Sequence, residues 1–190
     1  MVEYTGISGK QPIGSVLIMA GGKGGRIGNP LKFLLPLAGS SVLERLIIDV
    51  QQISDRIWIC TTESSLPFLK DKNGIEKTSL IVGNGNGYHE DLNYALNEIK
   101  NLPVFVIPAD TVIIDRGLLE FLTSFPEKTN SGLVNLKQNG EFTGISVFLS
   151  VPLNKNQSIP FEDVDISGTK IININTPEDY EKARELVSDQ

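Results

Sequence analysis

A wholly apolar run at residues 16–20 is followed directly by a glycine-rich segment at residues 21–28. A short run that is apolar at every position is typical of a strand buried on both faces of a parallel sheet. The segment after it holds five glycines in eight residues and therefore predicts a loop. Because ligands of open α/β sheets bind beyond the carboxyl ends of the strands, this loop is the first candidate for a binding site.

The rest of the chain alternates between strand and helix signals. Apolar runs predict further strands at residues 56–61, 80–82, 104–107 and 170–175. Helical spacing of apolar residues, with capping boxes at 41–44 and 176–179, predicts helices at residues 43–53, 64–70, 92–99, 115–122 and 176–187. This alternation predicts one three-layer α/β/α, Rossmann-like domain with a mainly parallel sheet and right-handed crossovers.

Residues 132–149 have a different pattern. Two β-like runs, at residues 132–136 and 143–149, flank an Asn139-Gly140 dipeptide, which is a strong signal for a two-residue hairpin turn. The hairpin adds antiparallel strands, so the sheet is expected to be mixed. We expect the domain to span residues 15–190, with residues 1–14 as an N-terminal extension that we leave unassigned.

The composition excludes several classes of protein. With 190 residues, 40% of them hydrophobic, the chain is long enough to bury one sizeable core. Its one cysteine, Cys60, excludes an intrachain disulfide framework and a Cys-rich zinc site. No apolar run approaches the ~20 residues that span a bilayer, and the N-terminus lacks the apolar region of a signal peptide. We therefore expect a soluble, cytoplasmic protein.

The formal charge of −6 is unevenly distributed. Residues 4–43 contain no acidic residue and carry +4, so the other 150 residues carry −10. The acidic total argues against a nucleic-acid polymer as partner, whereas a basic, glycine-rich segment suggests a local anion site. On charge alone, a chance run of composition explains the segment equally well.

The glycine-rich segment matches neither common phosphate-binding motif. Counted from Gly22 and Gly24, the third glycine of the dinucleotide fingerprint is replaced by Ile27, and no GK[ST] step is present. Its glycines still let backbone N–H groups approach a phosphate chain, and Lys23 and Arg26 supply cations. The alternative is a flexible surface loop with two solvated cations.

Four segments carry a resemblance to known families. Residues 16–28, with Lys32 shortly after, resemble the nucleotidyltransferases that activate small phosphorylated compounds. Residues 85–93 and 172–179 resemble the archaeal GTP:adenosylcobinamide-phosphate guanylyltransferases, and residues 143–147 resemble their acceptor-side strand. The motif at 172–179 is shared with molybdenum-cofactor guanylyltransferases. The sequence departs from the pattern at Gly25, where Ser or Thr is common, and at Phe33, where proline is frequent.

The resemblance implies that the chain moves GMP from GTP onto adenosylcobinamide phosphate and releases pyrophosphate, as a step of cobalamin biosynthesis. It assigns catalysis to Arg26, Lys32 and Asp110, Mg²⁺ binding to Asp110, and contact with the acceptor to Gly144. The partners are then GTP and a phosphorylated small molecule, with no nucleic acid and no membrane. The implied nucleotide-binding residues are Ala20, Gly21, Gly22, Lys23, Gly24, Gly25, Arg26, Lys32, Gly85, Gly87, Glu90, Asp91, Asn173 and Asn175.

Residue chemistry supports these roles without excluding structural ones. Asp110 follows a predicted strand and offers the oxygen ligand that Mg²⁺ prefers, but it could also cap a turn. Glu90 and Asp91 suit the first turn of a helix, where the dipole favours negative charge. A carboxylate there could also accept both the N1–H and the amine of guanine. Asn173 and Asn175 share one face of a strand, at a position where the strand could simply be leaving the core.

Other functions remain open at this stage. The acceptor could instead be molybdopterin or a sugar phosphate. A non-catalytic GTP-binding regulator is the rival of another class, and the absence of a hydroxyl at Gly25 permits it. A dinucleotide-dependent dehydrogenase is disfavoured, because the fingerprint fails and the second predicted strand ends without an acidic residue for the ribose.

Overall fold

A computed structural model of the protein describes residues 14–21, 31–151, 158–168 and 170–188. Of the predicted N-terminal extension, residues 1–13 lie outside the described part. The strands are β1 Ser15–Ala20, β2 Pro36–Leu37, β3 Ser40–Ser41, β4 Ile57–Thr61, β5 Thr78–Val82, β6 Val104–Pro108, β7 Thr111–Ile113, β8 Leu133–Gln138, β9 Glu141–Phe148, β10 Phe161–Ile166 and β11 Ile171–Asn173. The α-helices are α1 Val42–Val50, α2 Tyr88–Glu98, α3 Gly117–Thr123 and α4 Pro177–Ser188.

Seven strands form the central sheet, in the order β10-β8-β9-β6-β1-β4-β5. Strands β6, β1, β4 and β5 are parallel to one another, β9 is antiparallel to both β6 and β8, and β10 is parallel to β8. The sheet is therefore mixed and mainly parallel, which confirms the predicted α/β class. After β5 the chain returns to the other side of β1, so the strand order reverses between β1 and β6 and leaves a crevice there.

Alternate residues of β1 divide the core into two layers. Val16 and Ile18 pack with α1 and α3 on one face of the sheet, while Leu17 and Met19 pack with α2 on the other. A third cluster joins α4 to a small antiparallel sheet of β7 and β11. None of the described helices combines the length and the apolar character needed to cross a membrane.

Local sequence signals account for several elements. The capping box of α1 is present: Ser41 Oγ accepts from the Glu44 N–H at 3.3 Å, and Glu44 Oε2 accepts from the Ser41 N–H at 2.7 Å. The hairpin turn between β8 and β9 is also confirmed, with positive φ angles of 54° at Asn139 and 85° at Gly140. Such angles match the mirror-image turn that joins two twisted strands directly.

The structure differs from the predicted elements in several places, and the short strands β2, β3 and β7 are additional to them. The helix expected at 64–70 is a single 3-10 turn, Leu66–Phe68. The strand expected at 170–175 is only β11, which pairs with β7 outside the main sheet. Strand β10 was not predicted, because its Glu162, Asp163 and Asp165 give this edge strand a polar pattern.

Candidate active site

A cleft of about 1620 Å³ lies at the carboxyl ends of β1, β4 and β5. Its walls include Gly21 after β1, Thr62 and Ser65 after β4, and Gly85 and Tyr88 after β5. The position agrees with the expected site for ligands of a parallel sheet. Sequence reasoning missed Thr62 and Ser65, although polar residues that follow a buried strand were a usable signal.

The loop between β5 and α2 is held against this cleft by a buried carboxylate. Asp91 Oδ1 accepts a hydrogen bond from the Gly85 N–H at 3.1 Å, and the Gly83 N–H donates to the Thr61 carbonyl at 2.8 Å. A Cβ at Gly83 would lie 2.6 Å from Asp91 Oδ1, so a larger residue there would displace the carboxylate. The predicted residues Gly85, Gly87 and Asp91 all line the cleft. Glu90 is exposed and does not line it.

Three predicted site residues that are distant in sequence meet beside β6. The Lys32 ammonium forms an ion pair with Asp110 Oδ2 and donates to Asn175 Oδ1 at 3.0 Å. The side chains of Lys32 and Asp110 are only 20% and 14% exposed. The backbone supports the contact, because the Ile174 N–H donates to the Asp110 carbonyl at 2.9 Å. The cluster thus joins the segment after β1, the end of β6 and the end of β11.

Asn175 is positioned by the capping of α4. Asp179 Oδ2 accepts from the backbone N–H groups of Asn175 at 3.0 Å and Thr176 at 2.8 Å, while Thr176 Oγ1 accepts from the Asp179 N–H at 3.1 Å. The predicted capping box is therefore confirmed. It also orients the Asn175 backbone towards the cluster, so a structural motif contributes to the geometry of the site.

The side-chain amide of Asn173 forms hydrogen bonds within the fold. Its Oδ1 accepts from Thr111 Oγ1 at 2.9 Å, and its Nδ2 donates to the Thr143 carbonyl. Next to Thr143, the exposed Gly144 has a φ angle of +78°, and a Cβ there would lie 2.8 Å from Pro108 Cγ. The predicted acceptor residue thus lies against the strand that ends beside Asp110. The predicted contacts of Asn173 with nucleotide and of Gly144 with acceptor stay predictions.

Tyr88 lines the cleft. Its side chain as a whole is exposed, but burial around the hydroxyl, together with the negative charge of Asp110 and the nearby Cys60, raises the pKa of Tyr88 to about 12. The ring makes an edge contact with His89 at 5.8 Å between centroids. The phenol therefore stays neutral at physiological pH and can donate a hydrogen bond in the cleft.

The remaining residues of the predicted site fall into two groups. Ala20 is the buried last residue of β1, and Gly21 lines the cleft. The second group lies outside the described residues and consists of Gly22, Lys23, Gly24, Gly25 and Arg26.

Cys60 is buried, and burial together with the charge of Asp91 raises its pKa to about 11. That thiol is protonated and enclosed, which agrees with its predicted role as a small hydrophobe.

The donor atoms beside Lys32 fit a magnesium ion that arrives with a nucleotide. Asp110 supplies a carboxylate and Asn175 an amide oxygen, and both contact the same ammonium group. In the described part of the chain, no three His, Cys, Asp or Glu side chains are grouped to hold a metal alone. Mg²⁺ is commonly held in this way, by one or two carboxylates and the phosphates of a substrate.

Structural comparisons give the fold. HddC from Yersinia pseudotuberculosis, complexed with GMP-PN, is 19% identical with a TM-score of 0.70, covering 91% of this chain and 99% of that one. The inositol-1-phosphate CTP transferase from T. maritima is 12% identical with a TM-score of 0.69, covering 94% and 96%. Rv0371c from Mycobacterium tuberculosis, in complex with manganese, is 15% identical with a TM-score of 0.64, covering 90% and 97%.

Sequence comparison gives the family. No curated protein sequence matches the chain significantly. The model of the MobA-like NTP transferase domain matches residues 16–156, a range that begins in β1 and extends past β9. That range contains the glycine-rich segment, Lys32, the cleft and Asp110. The chain is therefore a nucleotidyltransferase and belongs to the family of MobA-like NTP transferase domains.

Proposed function

We propose that the chain is a guanylyltransferase that moves GMP from GTP onto adenosylcobinamide phosphate in cobalamin biosynthesis. A phosphate oxygen of the acceptor forms a bond to the α-phosphorus of GTP. The bond from that phosphorus to the bridging oxygen breaks, and pyrophosphate leaves. The observation that carries the chemistry is the meeting of Lys32, Asp110 and Asn175, with Leu31, the residue before Lys32, in the wall of the cleft.

The described residues would act by positioning and by charge. The Lys32 ammonium neutralises charge on the triphosphate. Asn175 Oδ1 accepts a hydrogen bond from that ammonium and thereby orients it. Asp110 would hold Mg²⁺, which when bound neutralises the phosphates and polarises the reacting group. Gly85 and Gly87 leave room for the nucleotide at the cleft wall. Arg26, by resemblance, adds a second cation.

Two observations support guanine and a divalent metal. HddC at 19% identity is complexed with GMP-PN, and Rv0371c at 15% identity is complexed with manganese. Asp91 lines the cleft and Glu90 is the exposed carboxylate next to it in the same turn, and by resemblance one of the two accepts both donors of guanine. The acceptor rests on the resemblance of residues 85–93, 143–147 and 172–179.

The first test is nucleotide binding by calorimetry in the presence of Mg²⁺. We expect GTP to bind at least about tenfold more tightly than ATP or CTP, because neither adenine nor cytosine offers the adjacent N–H pair that a carboxylate can accept from guanine. Equal affinity for the three triphosphates would overturn the preference for guanine. A Glu90→Gln variant should reduce the preference for GTP, whereas Glu98→Gln on the far end of α2 should leave it unchanged.

The second test identifies the acceptor by mass spectrometry of the product. Incubation with GTP, Mg²⁺ and adenosylcobinamide phosphate should yield the guanylylated acceptor and pyrophosphate. Product with molybdopterin or a sugar phosphate instead would reassign the acceptor. GTP binding without turnover of any of these acceptors would favour a non-catalytic regulator.

A further inference from the structure

We propose that Lys32 is a place-holder cation. In the nucleotide-free chain its ammonium neutralises Asp110, and the carboxylate becomes available to a divalent metal only when a triphosphate draws Lys32 away. The inference rests on the proposed function for the role of Asp110 as metal ligand. It adds an order to the reaction: metal and nucleotide enter the site together.

The first support is the ion pair itself. Lys32 Nζ contacts Asp110 Oδ2, and both side chains are largely shielded from water. An ammonium ion and a divalent cation on one carboxylate repel each other, more strongly in a shielded site than in bulk water. The pair seen in the structure and a metal-bound Asp110 are therefore competing states.

The second support is that Lys32 has another partner to retain. Asn175 Oδ1 accepts from the same ammonium at 3.0 Å, and the backbone N–H of Asn175 is held by Asp179. Lysine has a long stem with three rotatable donors, so it can exchange one acceptor for another. Lys32 can release Asp110 and turn to a phosphate oxygen while Asn175 still limits its position.

The third support is that the site contains few acidic groups. Among the described residues, Asp110 belongs to no group of three metal-binding side chains. A metal ion at one carboxylate takes its remaining ligands from water and phosphate oxygens. The triphosphate that supplies the remaining ligands of the metal also attracts Lys32. Binding of one triphosphate therefore provides negative charge to both the metal ion and the ammonium group.

The test measures Mn²⁺ binding to the full chain without nucleotide, by the electron paramagnetic resonance signal of free Mn²⁺. We expect Lys32→Met and Lys32→Gln to bind Mn²⁺ at least about tenfold more tightly than the wild type, because the competing charge is removed. The double variant Lys32→Met/Asp110→Asn should lose that gain. Only variants whose circular dichroism spectrum matches that of the wild type are compared. If one of the two Lys32 variants fails to fold, the other still tests the proposal.

Lys137→Met is the matched control. Lys137 also pairs with an aspartate, Asp163, at 2.8 Å, but on β8 and β10 at the far side of the sheet. Removing its charge should change Mn²⁺ affinity less than about twofold, because the pair is more exposed and better screened.

The place-holder role is overturned if the Lys32 variants and the wild type bind Mn²⁺ equally. It is also overturned if the gain persists without the Asp110 carboxylate, or if Lys137→Met shows the same gain. These measurements contain neither GTP nor acceptor. A failure of guanylyl transfer would therefore leave the Mn²⁺ result standing, and a failure of the Mn²⁺ result would leave the transfer reaction standing.

Discussion

Asp110 and Asp49 are both shielded from water, but they stand in opposite relations to their surroundings. Asp110 is neutralised by Lys32 in the candidate site. Asp49, on α1, is 1% exposed, and neither of its oxygens has a hydrogen-bond partner among the described residues. Arg116 Nε lies 3.5 Å from Asp49 Oδ1. Burial raises the pKa of Asp49, and the positive charges of Arg116 and Arg45 only partly oppose it.

The raised pKa predicts how Asp49 affects stability with pH. A raised value means that the folded chain holds the proton more tightly than the unfolded chain. The stabilising contribution of Asp49 is therefore complete below its ordinary pKa of 3.8 and is lost as the pH rises through the folded value. We expect Asp49→Asn to increase the free energy of unfolding at pH 7 by about 1 kcal/mol. Urea denaturation should show a smaller gain at pH 4.

Asp115 provides a control of opposite sign. The hydrogen bond from Lys170 outweighs partial burial and lowers the pKa of Asp115, so its contribution is present at neutral pH and is lost as the pH falls. Asp115→Asn should accordingly reduce stability at pH 7. A gain from Asp49→Asn that does not change between pH 4 and pH 7 would contradict the assignment.

At the scale of elements, the β5–α2 loop depends on one side chain of the helix that follows it. The carboxylate of Asp91 accepts from Gly85 inside the loop and lies against Gly83. In our interpretation, Asp91 is thus a positioning residue that shapes the wall of the cleft. The role of Asp91 as a nucleotide contact, which the resemblance implies, stays a prediction.

We predict that Asp91→Ala raises the KM for the nucleotide by about tenfold, equivalent to one lost hydrogen bond to the loop, with a smaller effect on kcat. Asp91→Asn keeps an acceptor oxygen for the Gly85 N–H and should change KM by less than about threefold. Initial rates of pyrophosphate release at varied GTP concentration provide both constants. Equal effects of the two substitutions would show that the charge, and not the hydrogen bond, is what matters.

At the scale of the whole molecule, the β8–β9 hairpin is joined to β6 and β11 through close contacts. Gly144 on β9 lies against Pro108 of β6, and the Thr143 carbonyl accepts from Asn173 at the end of β11. These contacts connect three segments that are at least 30 residues apart in sequence. The candidate acceptor surface and the Lys32–Asp110 pair therefore depend on the same packing.

Gly144→Ala tests this packing, with Gly140→Ala as its matched control. Both glycines have positive φ, so each alanine should cost about 1–2 kcal/mol in backbone strain. At Gly140 no atom lies within 4 Å of the added Cβ, whereas at Gly144 Pro108 Cγ would be 2.8 Å away. We expect a further loss of about 1–3 kcal/mol for Gly144→Ala in urea denaturation. Equal losses in the free energy of unfolding for the two variants would show that the close approach to Pro108 does not contribute to the cost of Gly144→Ala.

The sequence by itself determined the local elements and the chemical class of the site. Apolar runs marked the parallel strands, capping residues began α1 and α4, and Asn139-Gly140 formed the hairpin turn, because these signals act over a few residues. The polar edge strand β10 was not predicted, and neither was the pairing that shortens the strand expected at 170–175 to β11, since the pairing partners are distant in sequence. The family resemblance made Lys32 a site candidate, and the position of Asp110 after a predicted strand supported the role that the resemblance implies for it.

Only the tertiary structure decided which candidates meet. Asn173 and Asn175 share a predicted strand face, yet Asn173 bonds to Thr111 and Thr143 while Asn175 contacts Lys32. Such choices depend on the reversal of strand order between β1 and β6, which brings together residues 143 positions apart. Hydrophobic periodicity reports only on neighbouring residues and therefore cannot predict a contact between residues so far apart in sequence. The Lys32–Asp110 ion pair, on which the proposed competition with a metal depends, follows from this long-range packing.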